Sequence, residues 1–244
     1  QVLHEPGRKA KTDSRMWVYC TDKSAGRYIA LFDYSPTRNG DNAATFLGDY
    51  SGYLVCDGYD GYNKLKKVMR CGCWAHARRK FVEALPTDKE LIPTSTAAKG
   101  VNMINEFYAI ERSLEELEPK VKHKQRQEHL KPALDVFFAW LETVNASSGT
   151  KLSKAVSYAI NEKKYLYRFL GSPYVSIDNN RAENAIRPFV VGRKNWLFSN
   201  TQNGARASAL IYSLAVTACA NGLNVEDYFF RLLTSDVPVM PWNG

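Results

Sequence analysis

Residues 52–58, Gly-Tyr-Leu-Val-Cys-Asp-Gly, are the stretch on which the fold prediction depends. The compact apolar run from Gly52 to Cys56 ends abruptly at Asp57 and Gly58, as a buried strand of an α/β sheet does. Open α/β sheets place their active sites at the carboxyl ends of their strands, so Asp57 is the first candidate for chemistry. Asp-Gly is also a common turn dipeptide, and that alternative reading of Asp57 stays open.

The segments around this strand predict an α/β fold with a mixed sheet covered by helices. Upstream, residues 16–20 and 28–32 are rich in aromatic and β-branched residues and predict a hairpin. Residues 41–47 begin with cap-type residues and predict a short helix. Downstream, residues 69–73 predict another short buried strand. Strands that alternate with helices in this way indicate the α/β class.

After about residue 85 the apolar residues recur at helical spacing in three successive stretches, and no strand signal interrupts them. Two more helices are predicted near the end of the chain, at residues 205–220 and 225–233. The change of pattern predicts three consecutive parts. These are residues 1–85 as the first part of the α/β core, residues 86–172 as an all-helical segment, and residues 173–244 as the second part of the core.

Composition and charge limit the class of function. The 244 residues include 33 Lys and Arg against 25 Asp and Glu, which gives a net charge of +8 and favours a polyanionic partner such as nucleic acid. The five cysteines, an odd number, do not form a disulfide framework in a chain of this length. No apolar run reaches the roughly 20 residues that a membrane-spanning helix needs. We therefore expect a cytoplasmic protein without a membrane partner.

Glu183 is the second candidate for chemistry. On a helix, Asn180, Glu183, Asn184 and Arg187 share one polar face, and such a face can hold a metal ion or phosphates. Asn180 followed by Glu183 is also close to a capping box, in which Glu183 only satisfies backbone donors at a helix start. Phosphoryl transfer on DNA commonly uses divalent ions held by carboxylates, and such oxygen ligands suit Mg²⁺. Spacing alone does not decide between these readings.

Three residues with zinc-ligand chemistry, Cys71, Cys73 and His76, lie within six positions, and Cys56 is a conceivable fourth. The spacing is not Cys-x-x-Cys, and no His pair follows at the distance that zinc fingers use. We therefore expect buried thiols and a polar histidine at a strand-to-helix junction, and we do not expect zinc.

A basic cluster of Arg78, Arg79 and Lys80 follows His76 and suits phosphate contacts near a helix start. A solvated helix face is the alternative. Further cations that suit a nucleic-acid backbone are Arg193, Lys194 and Arg206. Trp196 follows Arg193 and Lys194 in the sequence. The alternatives for its ring are stacking on an unpaired nucleic-acid base and a position in the core.

Four motifs in a fixed order carry a family resemblance. They are Cys-Asp-Gly-Tyr at 56–59 with Gly-Tyr-Asn at 61–63, Gly-Cys-Trp-Ala-His-Ala-Arg-Arg-Lys-Phe at 72–81, Asp-Asn-Asn-Arg-Ala-Glu-Asn at 178–184 with Arg-Pro at 187–188, and Gly-Arg-Lys-Asn-Trp-Leu-Phe at 192–198. Together they resemble the bacterial insertion sequence 66 family of transposases, from about residue 3 to residue 242.

The resemblance implies a ribonuclease-H-like mixed sheet flanked by helices, with an Asp-Asp-Glu metal site and an all-helical insertion before the Glu. Asp57 matches the second acid, at the end of the fourth strand, and Glu183 matches the third. Both would bind Mg²⁺, with Mn²⁺ as a substitute. The first acid has no match in this chain. In the family it lies just before the residues similar to Val2 and Leu3, so we expect it upstream of Gln1.

The implied activity is metal-dependent cleavage of DNA at the ends of a mobile element, followed by strand transfer into target DNA. The implied partners are double-stranded DNA, further copies of the chain and accessory proteins of the same element, in the bacterial cytoplasm at the nucleoid. The expected DNA contacts are Arg78, Arg79, Lys80, Arg187, Arg193 and Lys194. The expected supporting residues are Asn180, Asn184 and His76.

Without the first acid we expect weak metal binding and no DNA cleavage. The alternative function is an inactive DNA-binding or regulatory module with the same fold.

Overall fold

The computed structural model describes residues 14–243, and the chain divides into two compact units. The first, which we call the continuous unit, is Leu47–Asn179. The second, the split unit, comprises Gln1–Phe46 and Asn180–Gly244. Val2 and Leu3, beside which the resemblance places the first acid, lie outside the described residues. The three-part division at residues 85 and 172 stays a prediction.

The four strands found within residues 14–243 form two separate two-stranded sheets. In the split unit, β1 (Arg15–Cys20) pairs antiparallel with β2 (Ala30–Ser35). In the continuous unit, β3 (Gly52–Cys56) pairs parallel with β4 (Val68–Gly72). The predicted hairpin and the predicted strand after it are confirmed, and the fold class is α/β. The strands of the described residues do not form the predicted single mixed sheet, because apolar patterning identifies extended segments but does not identify their partners, and the ribonuclease-H-like arrangement stays a prediction.

The helices of residues 14–243 include those predicted near 41–47, 205–220 and 225–233, and the helical segment contains four α-helices where three were predicted. In chain order, the α-helices are α1 (Asp41–Leu47), α2 (Trp74–Glu83), α3 (Thr96–Ser113), α4 (Pro119–Gln125), α5 (Lys131–Thr143), α6 (Lys151–Tyr167), α7 (Asn180–Ala185), α8 (Arg187–Trp196), α9 (Gln202–Ala220) and α10 (Val225–Thr234). A π-helical turn, Arg126–Leu130, joins α4 to α5. Within residues 14–243, no helix combines the length and the apolar character needed to cross a lipid bilayer.

The core of the continuous unit is built around Trp74, the first residue of α2. Its indole N–H donates to the Leu166 carbonyl of α6 at 3.0 Å, so the large ring is buried without an unsatisfied donor. The rings of Phe107, Phe137 and Phe138 pack edge-on against it, with centroids 4.9 to 6.1 Å away. Large aromatic side chains from three helices therefore fill this interior.

Buried Arg126, in the π-helical turn, ties the helices of the continuous unit to the chain after α6. Its guanidinium donates to the carbonyls of Phe169, Ser172 and Val175 and pairs with Glu111 of α3. These partners satisfy a charge that would otherwise be costly to bury.

The split unit is held together by a helix that bonds directly to the edge of a strand. Ser213 of α9 accepts the Phe32 N–H of β2 at 2.8 Å, and Thr217 accepts the Ala30 N–H at 3.0 Å. Asn221 continues the series by donating to the Tyr28 carbonyl at 2.7 Å. Side chains at intervals of four residues along α9 thus supply bonds that a further strand would otherwise supply.

Candidate functional site

Asp57 lies directly after β3, at the carboxyl end of the parallel pair, as predicted. Its Oδ1 accepts the backbone N–H of Tyr59 at 3.1 Å, which orients the carboxylate within the turn. Gly58 is required sterically, because a Cβ at this position would lie 2.8 Å from the ring of Tyr158. The turn reading and the site reading of Asp57 are therefore compatible.

Arg70 of β4 holds both ends of the loop that contains Asp57. Its Nη2 donates to the Asp57 backbone carbonyl at 3.2 Å, and its Nη1 donates to Asn63 Oδ1 at 2.9 Å. The guanidinium lies 4.1 Å from the centre of the Tyr165 ring, and the side chain is buried. The loop 57–63 is thus fastened by a single cation from the neighbouring strand.

Glu162 of α6 is the counter-ion of Arg70. Its Oε2 lies 2.6 Å from Arg70 Nη2, and both side chains are about nine-tenths buried or more, at 11% and 4% exposed. Burial raises the pKa of the Glu162 carboxyl, and the Arg70 guanidinium opposes that rise. Burial likewise raises the pKa of Tyr158, whose ring lies against Gly58.

Arg70 and Glu162 are not among the residues predicted from the sequence, although the position of each in its strand or helix is unusual for a charged residue. Arg70 interrupts an apolar strand, and Glu162 falls on the same helical stripe as Ala155, Ala159 and Leu166, which are all buried. A charged residue is rarely buried without an oppositely charged partner. One cation in an apolar strand and one acid on the buried face of a helix therefore indicate that the two form a pair.

Glu183 lies in the split unit, in the first turn of the six-residue helix α7. Asn180 and Asn184 are on the same helix and are exposed. Arg187 begins the next helix, α8, so the expected four-residue stripe is divided between two helices. Pro188 explains the division, because it has no N–H to donate and its ring blocks regular helical continuation.

The cysteines of the predicted cluster are core residues. Cys56, Cys71 and Cys73 are buried, and burial raises the pKa of each thiol to about 12. Cys73 Sγ also accepts the Asn179 N–H at 3.4 Å. Zinc binds thiolates, which these surroundings disfavour. The part of the chain that the structure describes contains no group of three or more His, Cys, Asp or Glu able to hold a metal.

The basic residues of α2 are partly engaged within the continuous unit. Arg78 Nε donates to Asn105 Oδ1 at 2.7 Å, and the Lys80 ammonium lies 4.9 Å from the centre of the Tyr158 ring. Arg79 is exposed, and His76 is half-buried in the first turn of α2. Lys80 therefore lies beside Tyr158, whose ring packs against Gly58, whereas Arg78 is held against α3 through Asn105.

A strained turn at the end of α8 organises the last predicted motif. Leu197 has φ 59° and ψ −72°, and the Phe198 N–H bonds to the Trp196 carbonyl at 2.8 Å, which defines a γ-turn of the rare type. Arg193 Nε donates to the Leu197 carbonyl at 3.1 Å and its guanidinium lies over Phe198. Lys194 and Arg187 are exposed on the same helix.

Comparison with known proteins gives one family. The sequence profile described as Transposase IS66 family matches residues 1–207, which include Asp57 and Glu183. No solved structure matches the chain.

Three proteins of Sinorhizobium fredii (strain NBRC 101917 / NGR234) are similar over nearly the whole chain. "Uncharacterized protein y4qI" is 29% identical over 98% of this chain and 48% of its own length. "Uncharacterized protein y4hP" is 28% identical over 95% and 47%, and "Uncharacterized protein y4jD" is 25% identical over 98% and 51%. The chain therefore spans about half the length of these relatives.

Proposed function

The chain belongs to the IS66 family of transposases, and from that membership we propose that it supplies the catalytic acids Asp57 and Glu183 to a metal-dependent DNA strand-transfer reaction. The observation that carries the proposal is the position of Asp57 at the carboxyl end of β3, in the parallel pair, where the resemblance implies the family's second acid. A ribonuclease-H-like core is part of this proposal, and the α/β class supports it.

The donor set fits a hard divalent ion, because carboxylate oxygens are the ligands that Mg²⁺ and Mn²⁺ prefer. Asp57 and Glu183 would hold it. When bound, such an ion neutralises phosphate charge and activates a water or 3′-hydroxyl for in-line attack. The chain itself orients the Asp57 carboxylate through the Tyr59 N–H. Asn180 and Asn184 would support Glu183 on its short helix, and His76 would support the basic end of α2.

We propose that the exposed or partly exposed cations bind the phosphate backbone of double-stranded DNA and keep the phosphodiester close to the acids. The residues are Arg78, Arg79, Lys80, Arg187, Arg193 and Lys194. Because positioning and charge neutralisation dominate phosphoryl transfer, such contacts contribute to the rate as well as to affinity. Further copies of the chain and accessory proteins of the element remain proposed partners.

The metal site is tested by Mn²⁺ titration followed by electron paramagnetic resonance, with Asp57→Asn, Glu183→Gln and the double variant. If both acids bind one ion, each single variant weakens Mn²⁺ binding roughly tenfold or more, and the double variant weakens it at least as much. Asp60→Asn, on the same loop, and Glu226→Gln, in the first turn of α10, are matched controls expected to bind Mn²⁺ normally. A single variant that binds Mn²⁺ as tightly as the unaltered chain would exclude that acid as a ligand.

DNA binding is tested separately, by fluorescence anisotropy with duplex DNA over a series of salt concentrations. Arg187→Gln and Lys194→Gln are each expected to reduce the salt slope by about one and to weaken binding similarly for all sequences. Arg231→Gln, an exposed cation on α10, is the control. Normal DNA binding together with Mn²⁺ binding that is indifferent to Asp57 and Glu183 would support the non-catalytic DNA-binding module instead.

A further inference from the structure

We propose that Arg70 and Glu162 position Asp57, so that helix α6 of the predicted insertion braces the loop that carries the candidate metal ligand. The inference rests on the proposed function, in which Asp57 binds a divalent ion. It assigns a role to the helical segment between the two candidate acids and to two residues that the family motifs quoted above do not include.

Arg70 reaches the loop because of the strand register. In the parallel pair, Gly72 lies opposite Cys56, so Arg70 sits two residues before the level at which β3 ends. Its guanidinium extends toward that end and binds the Asp57 carbonyl and Asn63 Oδ1 together. A planar group with several donors in fixed directions can hold both ends of one loop at the same time.

Glu162 offsets the free-energy cost of burying the Arg70 charge. Both side chains are buried, so removal of the carboxylate charge leaves the guanidinium without its counter-ion. The side chain would then move toward water and release the Asp57 carbonyl. Tyr165, one turn further along α6, covers the guanidinium and donates to Asn63 Oδ1 at 3.4 Å. Two side chains of α6 therefore support the loop, Glu162 through Arg70 and Tyr165 through both Arg70 and Asn63.

The second buried Arg–Glu pair of the same unit shows that burial alone does not imply this role. Arg126 and Glu111 are as deeply buried, yet their remaining partners are Lys122 and the carbonyls of residues 169, 172 and 175. None of these is a candidate site residue. The pair Arg126–Glu111 therefore serves as an internal control for the pair Arg70–Glu162.

The experiment compares Glu162→Gln with Glu111→Gln. Each variant keeps the side-chain volume and removes one buried charge, and both are expected to lower the urea midpoint. Only Glu162→Gln is expected to raise the Mn²⁺ dissociation constant, roughly tenfold, as loss of a group that orients a metal ligand does. Only Glu162→Gln is also expected to speed the exchange of the Tyr59 amide hydrogen, by roughly tenfold, because that amide bonds the Asp57 carboxylate.

Arg70→Lys keeps the charge pair and is the second variant if Glu162→Gln does not fold. A single ammonium does not reach Glu162, the Asp57 carbonyl and Asn63 together, so the same two effects are expected. The inference is overturned if Glu162→Gln or Arg70→Lys leaves both Mn²⁺ affinity and Tyr59 exchange at the values of Glu111→Gln. If Asp57→Asn does not change Mn²⁺ binding, the proposed function fails, and the Tyr59 amide alone decides whether the bracing is real.

Discussion

The two units solve the problem of a stable interior in opposite ways. The continuous unit fills its core with large rings, since Trp74, Phe81, Phe107 and Phe137 are all fully buried. The main core cluster of the split unit instead combines four alanines with Phe32, Tyr34 and Phe189; the alanines are Ala30, Ala185, Ala205 and Ala209. Large rings stabilise through buried area and volume, whereas small residues allow a helix to approach a strand closely enough to bond to it.

This difference decides what each unit can place at a site. In the continuous unit two Arg–Glu pairs are buried, and one of them reaches the Asp57 loop. In the split unit Glu183 lies on a six-residue helix with exposed neighbours. The candidate acid of the continuous unit is therefore on a loop held by the buried Arg70, whereas that of the split unit is half-buried on a six-residue helix.

The largest expected effect is in thiol chemistry. Cys56, Cys71 and Cys73 belong to the continuous unit, and burial raises the pKa of each thiol to about 12. Because the thiolate is the reactive form, the raised pKa of these thiols and their burial both slow their reaction near neutral pH. Cys219 of the split unit is exposed. We expect Cys219 to react with an aromatic disulfide reagent at least about 10³ times faster than these three.

Peptide mapping after timed alkylation measures each cysteine, and all five should react at similar rates in concentrated urea. Rapid native labelling of any of the three buried thiols would show that the interior of the continuous unit opens readily. The comparison between the units would then fail at its central point.

The next largest effect is the loss of a ring from the aromatic core. Phe137→Ala removes a fully buried side chain whose ring contacts those of Trp74, Phe81 and Phe107. We expect a loss of about 3–5 kcal/mol in the free energy of unfolding, which includes the cost of the cavity. Amide hydrogen exchange resolved by peptide should place the loss in the continuous unit.

Phe230→Ala is the matched control in the split unit, because its ring is 67% exposed on α10. Its expected change is within about 0.5 kcal/mol. A similar loss in both variants would mean that Phe230 packs against something in solution, and that exposure does not separate the two units.

A smaller effect is expected where α9 bonds to the edge of β2. Thr217→Val keeps the shape and removes the oxygen that accepts the Ala30 N–H. A buried donor left without a partner costs about 1–3 kcal/mol, and the exchange of the Ala30 amide should rise with it. Thr234→Val, an exposed threonine that bonds only within α10, should cost less than about 0.5 kcal/mol. Equal costs would show that the bonds between α9 and β2 do not hold the split unit together.

The sequence predicted local structure well and long-range pairing poorly. Residues 52–56 and 41–47 have the predicted bounds, and the helix predicted at 205–220 begins three residues earlier, after the Thr201 cap. These features depend on neighbours in the chain. The pairing of strands depends on contacts between distant residues, which periodicity does not report, and a mixed sheet was predicted where two small sheets occur.

The same reason explains what was predicted of the candidate site. Asp57 could be singled out because a strand end and a turn are both local. Arg70 and Glu162 are 92 residues apart in the chain, and they meet only because α6 packs against β4. Local sequence patterns do not report that packing. Glu183 lies on a helix, as the sequence predicts. That helix ends at Ala185, because Pro188 prevents regular continuation into α8.

The smallest effect concerns backbone strain, and it has opposite signs in the two units. Leu197 is the one residue other than glycine with positive φ among residues 14–243, and its side chain is 62% exposed. Leu197→Gly should stabilise the split unit by about 1 kcal/mol, since relief of about 1–3 kcal/mol of strain exceeds the entropic cost of glycine. In the continuous unit, Gly149 has φ 81° with open space around it, so Gly149→Ala should destabilise by about 1 kcal/mol. Urea denaturation with peptide-resolved exchange measures both.

If Leu197→Gly instead lost stability, the bonds from Arg193 would be holding an unstrained turn. A gain in stability with weaker DNA binding would indicate that the strain is retained because the exposed leucine contacts DNA.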